Sequence, residues 1–382
     1  MDKRFHNDRG NILLKFFDRH LGIPLLRVLG LVRKKRRMPR DIHRIAVLKT
    51  AAIGDTVLLS GVIADLKKAF PGSRITFLSG NSNHEASALI RGVDKIVRLG
   101  MRNPPGNIFT VRREKYDLFL DFGPWARINA LISCFSRSAF TVGFETGGQY
   151  RHYAYDAVVH HSGKIHELEN YRNIVRAIGV EHSSPPDLEL PSAVDDAVAC
   201  KLPETEYVVC HPWPGGTKSH YKEWPADRWN RLAREINRMG FPVLFTGAEP
   251  DRLRTEDILK GLDDRSMATN LAGKLTLRDT AIVLKSTVLL VTVNTGIMHV
   301  GAALGVPLVA LHGPTSSKRW GPYMKNGCQI AIESPIPGCG YLNLGFDYPA
   351  NPPRCMEGIS VEEVLRAAER LITGRSRPFP KR

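Results

Sequence analysis

Two turns of the sequence place small and polar residues where an apolar run gives way to a helical pattern. The first turn contains Gly54-Asp55, which follows the apolar run 45–48 and opens a helix. A carboxylate at Asp55 could act as a general base, and Gly54 would let a substrate approach the backbone closely. Helix capping by Asp55 is an equally good interpretation of this dipeptide taken alone.

The second turn, Asn294-Thr295-Gly296, follows the apolar run 288–293. A helix N-terminus made of small residues offers free backbone amides to an anion, such as the diphosphate of a nucleotide sugar. His299 would then lie in the first helical turn, near the ligand. The alternative is an ordinary tight turn with His299 packed in the first helical turn. The binding interpretation is favoured because a second loop agrees with it.

That second loop contains Gly215-Gly216 and follows the apolar run 207–210. The two glycines offer backbone donors, and Lys222 a few residues later offers a positive charge for a phosphate. Lys218 is close by, so the chemistry of the side chains does not choose between the two lysines.

Two more loops follow apolar runs in the same half of the chain. Glu249 could accept hydrogen bonds from ribose hydroxyls, as acidic residues do at such positions in dinucleotide sites. A solvated Glu249 is the commoner outcome for a surface acid. Thr315 lies in the loop after the run 307–311.

Short apolar runs that alternate with helical patterns must position these loops. Such alternation is typical of parallel sheets covered by helices on both faces, so the fold class is α/β with two doubly wound, Rossmann-like domains facing a cleft. The predicted segments are a basic amphipathic arm (1–44), an N-terminal domain (45–185), a linker (186–205), a C-terminal domain (206–359), a last helix (360–374) and a basic tail (375–382).

The arm carries much of the charge. Lys and Arg exceed Asp and Glu by 16 in the chain of 382 residues, and residues 1–44 hold 13 of the cations against 4 acids. Apolar residues alternate with cations over 12–32, and five consecutive cations follow at 33–37. This pattern predicts a cytoplasmic protein that is peripheral to the anionic inner face of a membrane. The alternative is a helix that packs on its own domain.

Other partners and sites are disfavoured by missing patterns. No recognition-helix, zinc-finger or aromatic ribonucleoprotein pattern accompanies the cations, which disfavours nucleic acid. No apolar run approaches the roughly 20 residues of a spanning helix. The six cysteines form no close pair, which predicts reduced thiols, although Cys339 and Cys355 flank one loop and could approach each other. Phosphate-binding loops, a nucleophile elbow and metal-binding D-x-D or H-E-x-x-H motifs are also missing.

Three segments together resemble glycosyltransferase family 9, the ADP-heptose:lipopolysaccharide heptosyltransferases. They are residues 48–58 (LKTAAIGDTVL), residues 222–225 (KEWP), and residues 293–307 (VNTGIMHVGAALGVP) followed by 313–315 (GPT). The resemblance covers residues 44–372. It implies a GT-B fold, an acceptor-binding N-terminal domain, a donor-binding C-terminal domain, and inverting transfer of a sugar from a nucleotide diphosphate without a metal or other cofactor.

The resemblance also implies roles for individual residues. The catalytic base falls on Asp55, with Gly54 on the acceptor side. Among the donor-binding positions, Lys222 falls at the phosphate, Glu249 at the ribose, and Thr315 at the sugar or phosphate. The diphosphate falls at Thr295, Gly296 and the residues that follow, including His299. Gly215, Gly216 and Asn294 lie in the neighbouring loops, and the adenine falls near Lys274-Leu275.

One position departs from the family. Where the family usually has an acid that contacts the heptose hydroxyls, this sequence has Asn294, which keeps a hydrogen-bonding side chain without the charge. The resemblance therefore predicts transfer of a heptose or related sugar from an ADP-sugar to a lipopolysaccharide-type glycolipid. The alternatives are a different nucleotide sugar and a nucleotide-binding scaffold without transfer activity.

Overall fold

The computed structural model describes residues 16, 18–100, 103–190, 199–200, 202–262, 267–323 and 327–374. The chain divides into two compact units, Met1–Asp187 and Leu188–Arg382. The division lies inside the segment 186–205 that the sequence predicts to be a linker. The predicted basic tail, 375–382, lies outside the described residues.

Unit 1 is a doubly wound parallel sheet with helices. Its strands are β1 (Arg44–Lys49), β2 (Arg74–Ser79), β3 (Lys95–Arg98), β4 (Lys115–Asp121), β5 (Arg137–Glu145) and β6 (Ala157–His160). Its helices are α1 (Gly22–Val32), α2 (Ile53–Ala69), α3 (His84–Ser87), α4 (Pro104–Arg112), α5 (Arg127–Phe135) and α6 (Glu167–Arg176). The strand order is β3-β2-β1-β4-β5-β6. The order reverses between β1 and β4, and this is the point where ligands bind in open α/β sheets.

Unit 2 repeats this topology. Its strands are β7 (Val208–His211), β8 (Val243–Phe245), β9 (Ala268–Asn270), β10 (Leu289–Val293), β11 (Leu308–His312) and β12 (Gln329–Glu333). Its helices are α7 (Ala226–Arg238), α8 (Arg252–Leu259), α9 (Leu277–Lys285), α10 (Gly296–Ala303), α11 (Ser317–Trp320) and α12 (Val361–Thr373). The order β12-β11-β10-β7-β8-β9 reverses between β7 and β10. The two parallel sheets confirm the predicted α/β class with two doubly wound, Rossmann-like domains.

The first helix packs on unit 1. The side chain of Leu26 on α1 is fully buried in a cluster with Ala130, Ala154 and Tyr155. A methyl group at Gly30 would overlap the ring of Tyr153, so α1 lies close against this part of the unit. One face of α1 therefore packs on its own domain, as the alternative interpretation of the arm predicts.

The structure joins Cys339 and Cys355 in a disulfide. The prediction of reduced thiols is therefore wrong for this pair. The two cysteines are 16 residues apart in sequence, and a pairing across an irregular loop follows no local spacing rule. The amide of Gly340 donates to Gly313 O at 3.1 Å, so the disulfide closes a loop that lies beside the Gly313-Pro314-Thr315 turn.

Candidate functional site

Asp55 lies in the first turn of α2, immediately after the loop that leaves β1. The N-cap position of α2 is occupied by Ala52, so Asp55 is not the helix cap. Gly54 and Asp55 are both buried, and Asp55 keeps an exposed fraction of 9%. The helix N-terminus favours the ionised form of a carboxylate in this turn.

Two side chains hold the carboxylate of Asp55. The hydroxyl of Tyr171, on α6, donates to Asp55 Oδ1 at 2.6 Å. Lys49 Nζ, at the end of β1, lies 3.3 Å from the same oxygen and donates to the hydroxyl of Tyr171 at 2.7 Å. Because Lys49 is 2% exposed, this ion pair is shielded from water and holds a fixed geometry. Lys49 and Tyr171 thus orient Asp55 and stabilise its negative charge.

The same lysine reaches across the point where the strand order reverses. Lys49 Nζ donates to the carbonyl of Phe122, which directly follows β4, at 3.2 Å. At the end of β4, the buried carboxylate of Asp121 pairs with Arg151 Nη2 at 2.5 Å and accepts from the hydroxyl of Tyr155 at 2.6 Å. Burial raises the pKa of Tyr155 well above its usual value, so this hydroxyl stays protonated. Asp55 therefore stands beside a buried network of hydrogen bonds and an ion pair at the carboxyl edge of the sheet.

In unit 2, the turn after β10 is tied to the turn after β11. The side-chain amide of Asn294 donates to Trp320 O at 3.1 Å and lies 3.4 Å from Nδ1 of His312. The hydroxyl of Thr315 lies 3.3 Å from the same nitrogen. Burial lowers the pKa of His312 to about 4, so the imidazole is neutral near pH 7. The structure thus brings Asn294 and Thr315 together around a histidine that the sequence did not single out.

Thr295 caps α10. Its hydroxyl accepts from the amides of Ile297 at 3.2 Å and Met298 at 3.4 Å. The expectation of free amides is therefore wrong for these two residues, because the cap of the helix already bonds them. Gly296 begins the helix and is half-buried, whereas His299 is buried in the first turn.

The loop after β7 holds the two candidate lysines in different surroundings. Lys222 Nζ donates to the carbonyl of Gly215 at 2.9 Å, so its charge is fixed at the glycine pair. Gly216 has φ of +100°, a conformation that favours glycine, and both glycines have open space on their Cβ side. Lys218 is exposed and its Nζ lies 5.8 Å from the ring centroid of Tyr348. The structure therefore holds the charge of Lys222 at the glycine pair, whereas that of Lys218 lies near an aromatic ring.

Glu249 lies in the loop after β8. Its side chain is 68% exposed and pairs with Arg252 Nε at 3.1 Å. A methyl group at Gly273 would overlap the carboxylate of Glu249, which places this acid directly beside the loop that follows β9. Lys274, in that loop, donates to Asn270 O. The proposed ribose and adenine positions are thus neighbours at one edge of the sheet.

Within the described ranges, no three or more His, Cys, Asp and Glu side chains come together as metal ligands would. The helices in those ranges are also too short or too polar to cross a bilayer.

Sequence comparison identifies the family. Residues 108–337 match the model of glycosyltransferase family 9 (heptosyltransferase). Lipopolysaccharide heptosyltransferase 2 of Salmonella typhimurium is 36% identical over 105 residues, a match that covers 27% of this chain and only 30% of that protein. Lipopolysaccharide heptosyltransferase 3 of Escherichia coli is 24% identical over 347 residues, which cover 84% of this chain and 95% of that protein.

Solved structures share the fold. A glycosyl transferase family 9 protein from Veillonella parvula superposes with a TM-score of 0.72 at 22% identity, covering 90% of this chain and all of that chain. The E. coli ADP-heptose lps heptosyltransferase II gives a TM-score of 0.71 at 20% identity, covering 87% and 99% of the two chains. Together with the family match over more than half of the sequence, these findings show that the chain belongs to glycosyltransferase family 9.

Proposed function

We propose that this protein is an inverting glycosyltransferase that moves a heptose or related sugar from an ADP-sugar to a lipopolysaccharide-type glycolipid. The observation that carries the proposal is the carboxylate of Asp55, held by Tyr171 and Lys49 where the strand order of unit 1 reverses. Family membership and the printed names of the relatives, which include an ADP-heptose heptosyltransferase, support the donor and acceptor classes.

In the proposed reaction, Asp55 takes the proton of an acceptor hydroxyl while the hydroxyl oxygen forms a bond to the anomeric carbon of the donor. The bond between that carbon and the diphosphate oxygen breaks on the opposite side, and the nucleoside diphosphate leaves with the electron pair. Lys222 and the turn at Thr295-Gly296 stabilise the charge that develops on the diphosphate. Glu249 binds the ribose, and Asn294 and Thr315 bind the sugar or the adjacent phosphate.

The proposal includes transfer without a metal ion. Lys222, in the loop after β7, supplies the positive charge that a divalent cation supplies in glycosyltransferases with a D-x-D motif. Turnover that is unchanged by a chelator supports this part. A requirement for added Mg²⁺ or Mn²⁺ would contradict it.

The test of the base compares Asp55→Asn with Asp94→Asn in unit 1, whose carboxylate instead pairs with Lys67 at 2.7 Å. Release of nucleotide from ADP-heptose and from a panel of other nucleotide sugars is measured with and without a glycolipid acceptor. We expect Asp55→Asn to lose about 100-fold or more in acceptor-dependent turnover, as removal of a positioned base predicts. We expect Asp94→Asn to remain near the wild-type rate. Wild-type turnover by folded Asp55→Asn would refute the role.

A second candidate is a nucleotide-binding scaffold of the same fold. Asn294 favours it, because the charge that the family usually places at the donor sugar is missing. Tight nucleotide binding without acceptor-dependent turnover of any sugar in the panel would favour the scaffold. Turnover of one sugar settles the donor and rejects this candidate.

The proposed site of action is the cytoplasmic face of a membrane, where a glycolipid acceptor presents its sugars to a peripheral enzyme. The basic arm supports this location through its charge.

A further inference from the structure

Helix α1 has a second apolar face that points away from unit 1. Its residues recur at helical spacing and are exposed: Leu21 at the N-cap, followed by Leu25, Val28, Leu31 and Val32, which we call the outer row. The exposed fractions run from 40% at Leu25 to 88% at Leu31. A short helix that shows apolar residues on two faces has one face for its own domain and one for another surface.

The inner face of α1 is fixed to unit 1 by ion pairs at both ends. Before the helix, the carboxylate of Asp18 pairs with Arg127 Nη1 at 2.8 Å and accepts from the backbone amide of Arg127 at 2.9 Å, which satisfies the N-terminus of α5. After the helix, Arg33 and Arg36 each lie 2.9 Å from Asp156 Oδ2. Since Leu26 is buried between these pairs, α1 is held as a rigid part of the unit.

The carboxylate of Asp156 is built into this attachment. Burial alone would raise the pKa of Asp156, but hydrogen bonds from Arg36 and the charge of Arg33 outweigh burial and hold the pKa below its usual value. The carboxylate also accepts from the amide of Thr141 at 2.9 Å. The charge therefore remains at neutral pH, and the outer row keeps one orientation relative to the sheet of unit 1.

Exposed cations surround the outer row. Arg19, Arg27, Lys34, Lys35 and Arg37 are all exposed, before, along and after α1. A second copy of this chain docked row to row would bring these cations against their own counterparts, and like charges at an interface oppose association. An anionic bilayer surface accepts both the cations and the apolar row. Charge complementarity therefore selects the bilayer as the occupant of this face.

We propose that α1 lies in the headgroup region of an anionic bilayer, with the outer row inserted and the cations at the lipid phosphates. Interfacial helices bury their apolar face to a depth of about 5–10 Å. Because the inner face is fixed to unit 1, the helix is an orienting device as well as an anchor. This inference rests on the proposed function in one respect: an enzyme that modifies a glycolipid needs a fixed orientation at the bilayer. The lipid binding itself is independent of transfer.

The experiment measures co-flotation of the full-length chain with phosphatidylcholine vesicles that contain phosphatidylglycerol, and with vesicles of phosphatidylcholine alone. Leu21→Gln is matched by Leu253→Gln on α8 of unit 2, since these leucines are 65% and 66% exposed. The combined variant Leu21→Gln, Leu25→Gln, Val28→Gln removes most of the outer row without touching the inner face. Far-UV circular dichroism and thermal unfolding check that each variant is folded.

We expect wild-type protein to bind the anionic vesicles, to release as salt rises, and to bind neutral vesicles weakly. The triple variant should lose about tenfold or more in partitioning, because three apolar side chains no longer insert. Leu253→Gln should partition like the wild type. Lys34→Gln with Lys35→Gln should lose about fivefold per charge near an anionic leaflet, whereas Lys260→Gln in unit 2 should change little.

Equal partitioning of the triple variant and the wild type would overturn the proposal. So would equal binding to neutral and anionic vesicles. Light scattering without lipid gives another decisive result: a wild-type dimer that the triple variant converts to a monomer would assign the row to self-association. Flotation uses neither donor nor acceptor, so the absence of glycosyl transfer would leave the lipid result intact, and active protein that fails to float would reject only this inference.

Discussion

Tyr171→Phe is the sharpest test of how Asp55 is prepared for proton transfer. The substitution removes one hydroxyl, which donates to Asp55 Oδ1 at 2.6 Å and accepts from Lys49 at 2.7 Å. Both contacts favour the ionised carboxylate. A hydrogen bond to a charged group contributes about 1.5–3 kcal/mol, and about 1.4 kcal/mol corresponds to one pH unit of protonation. We therefore expect the acid limb of the pH profile of kcat/KM to move upward by about 1 to 2 units.

The sign follows from the charge that is lost. A base must be ionised to accept the proton, so a destabilised carboxylate is protonated over a wider acidic range and activity falls there first. At alkaline pH, Tyr171→Phe should lose less activity than Asp55→Asn, since the carboxylate and the Lys49 contact remain. The assay is acceptor-dependent nucleotide release from pH 4 to 9.

The matched control is Tyr207→Phe in unit 2, which also removes a buried hydroxyl, one that donates to Val283 O at 2.9 Å. Its thermal stability can fall, but its acid limb should coincide with that of the wild type. An unmoved acid limb in Tyr171→Phe, or an equal shift in Tyr207→Phe, would refute the assignment of Tyr171 as a positioning residue for Asp55.

Three further outcomes are expected. Lys222→Ala should weaken nucleotide-sugar binding in calorimetry more than Lys218→Ala, because Lys222 is fixed at Gly215; equal small effects would reject the assignment. As pH falls from 6.5 towards 4, His312 takes up a proton in the unfolded chain but not in the folded chain, so the free energy of unfolding should fall by up to about 3 kcal/mol. In urea titrations, His312→Asn should therefore show a shallower dependence of this free energy on pH. An unchanged pH dependence would mean that the histidine is protonated in the folded protein. Cys339→Ser should lower the free energy of unfolding by about 3 kcal/mol, whereas Cys200→Ser should leave it unchanged. Alkylation of both disulfide cysteines in fresh non-reducing lysates would contradict the pairing.

The central strands were predictable because they are buried on both faces. The apolar runs 45–48, 207–210, 288–293 and 307–311 correspond to β1, β7, β10 and β11 within two residues. Edge strands carry less of this signal. β3 and β6 are half-buried tetrapeptides, and β9 has only three residues, so each is too short to show a strand period in the sequence.

The site was predictable where the chemistry is local in sequence. Gly54-Asp55 and Asn294-Thr295-Gly296 stand at strand ends, and both belong to the turns that the structure places there. Tyr171 carries no such signal, because it lies 116 residues from Asp55 and its helix has no motif. The sequence did offer one indication for Lys49. A charged residue at the end of a buried parallel strand needs a partner of opposite charge or a hydrogen-bond acceptor.

The two units show how one topology serves two kinds of chemistry. In unit 1, the reversal point presents the Asp55 carboxylate, stabilised by a lysine and a phenol, which is the arrangement that a proton acceptor needs. In unit 2, the corresponding edge presents Asn294 and a buried, neutral His312. The Asn294 amide donates to Trp320 O, and an aspartate at this position would lose that bond and would favour a protonated His312. Asn294 and the neutral imidazole are therefore mutually consistent, and neither of them brings a negative charge to the proposed diphosphate site.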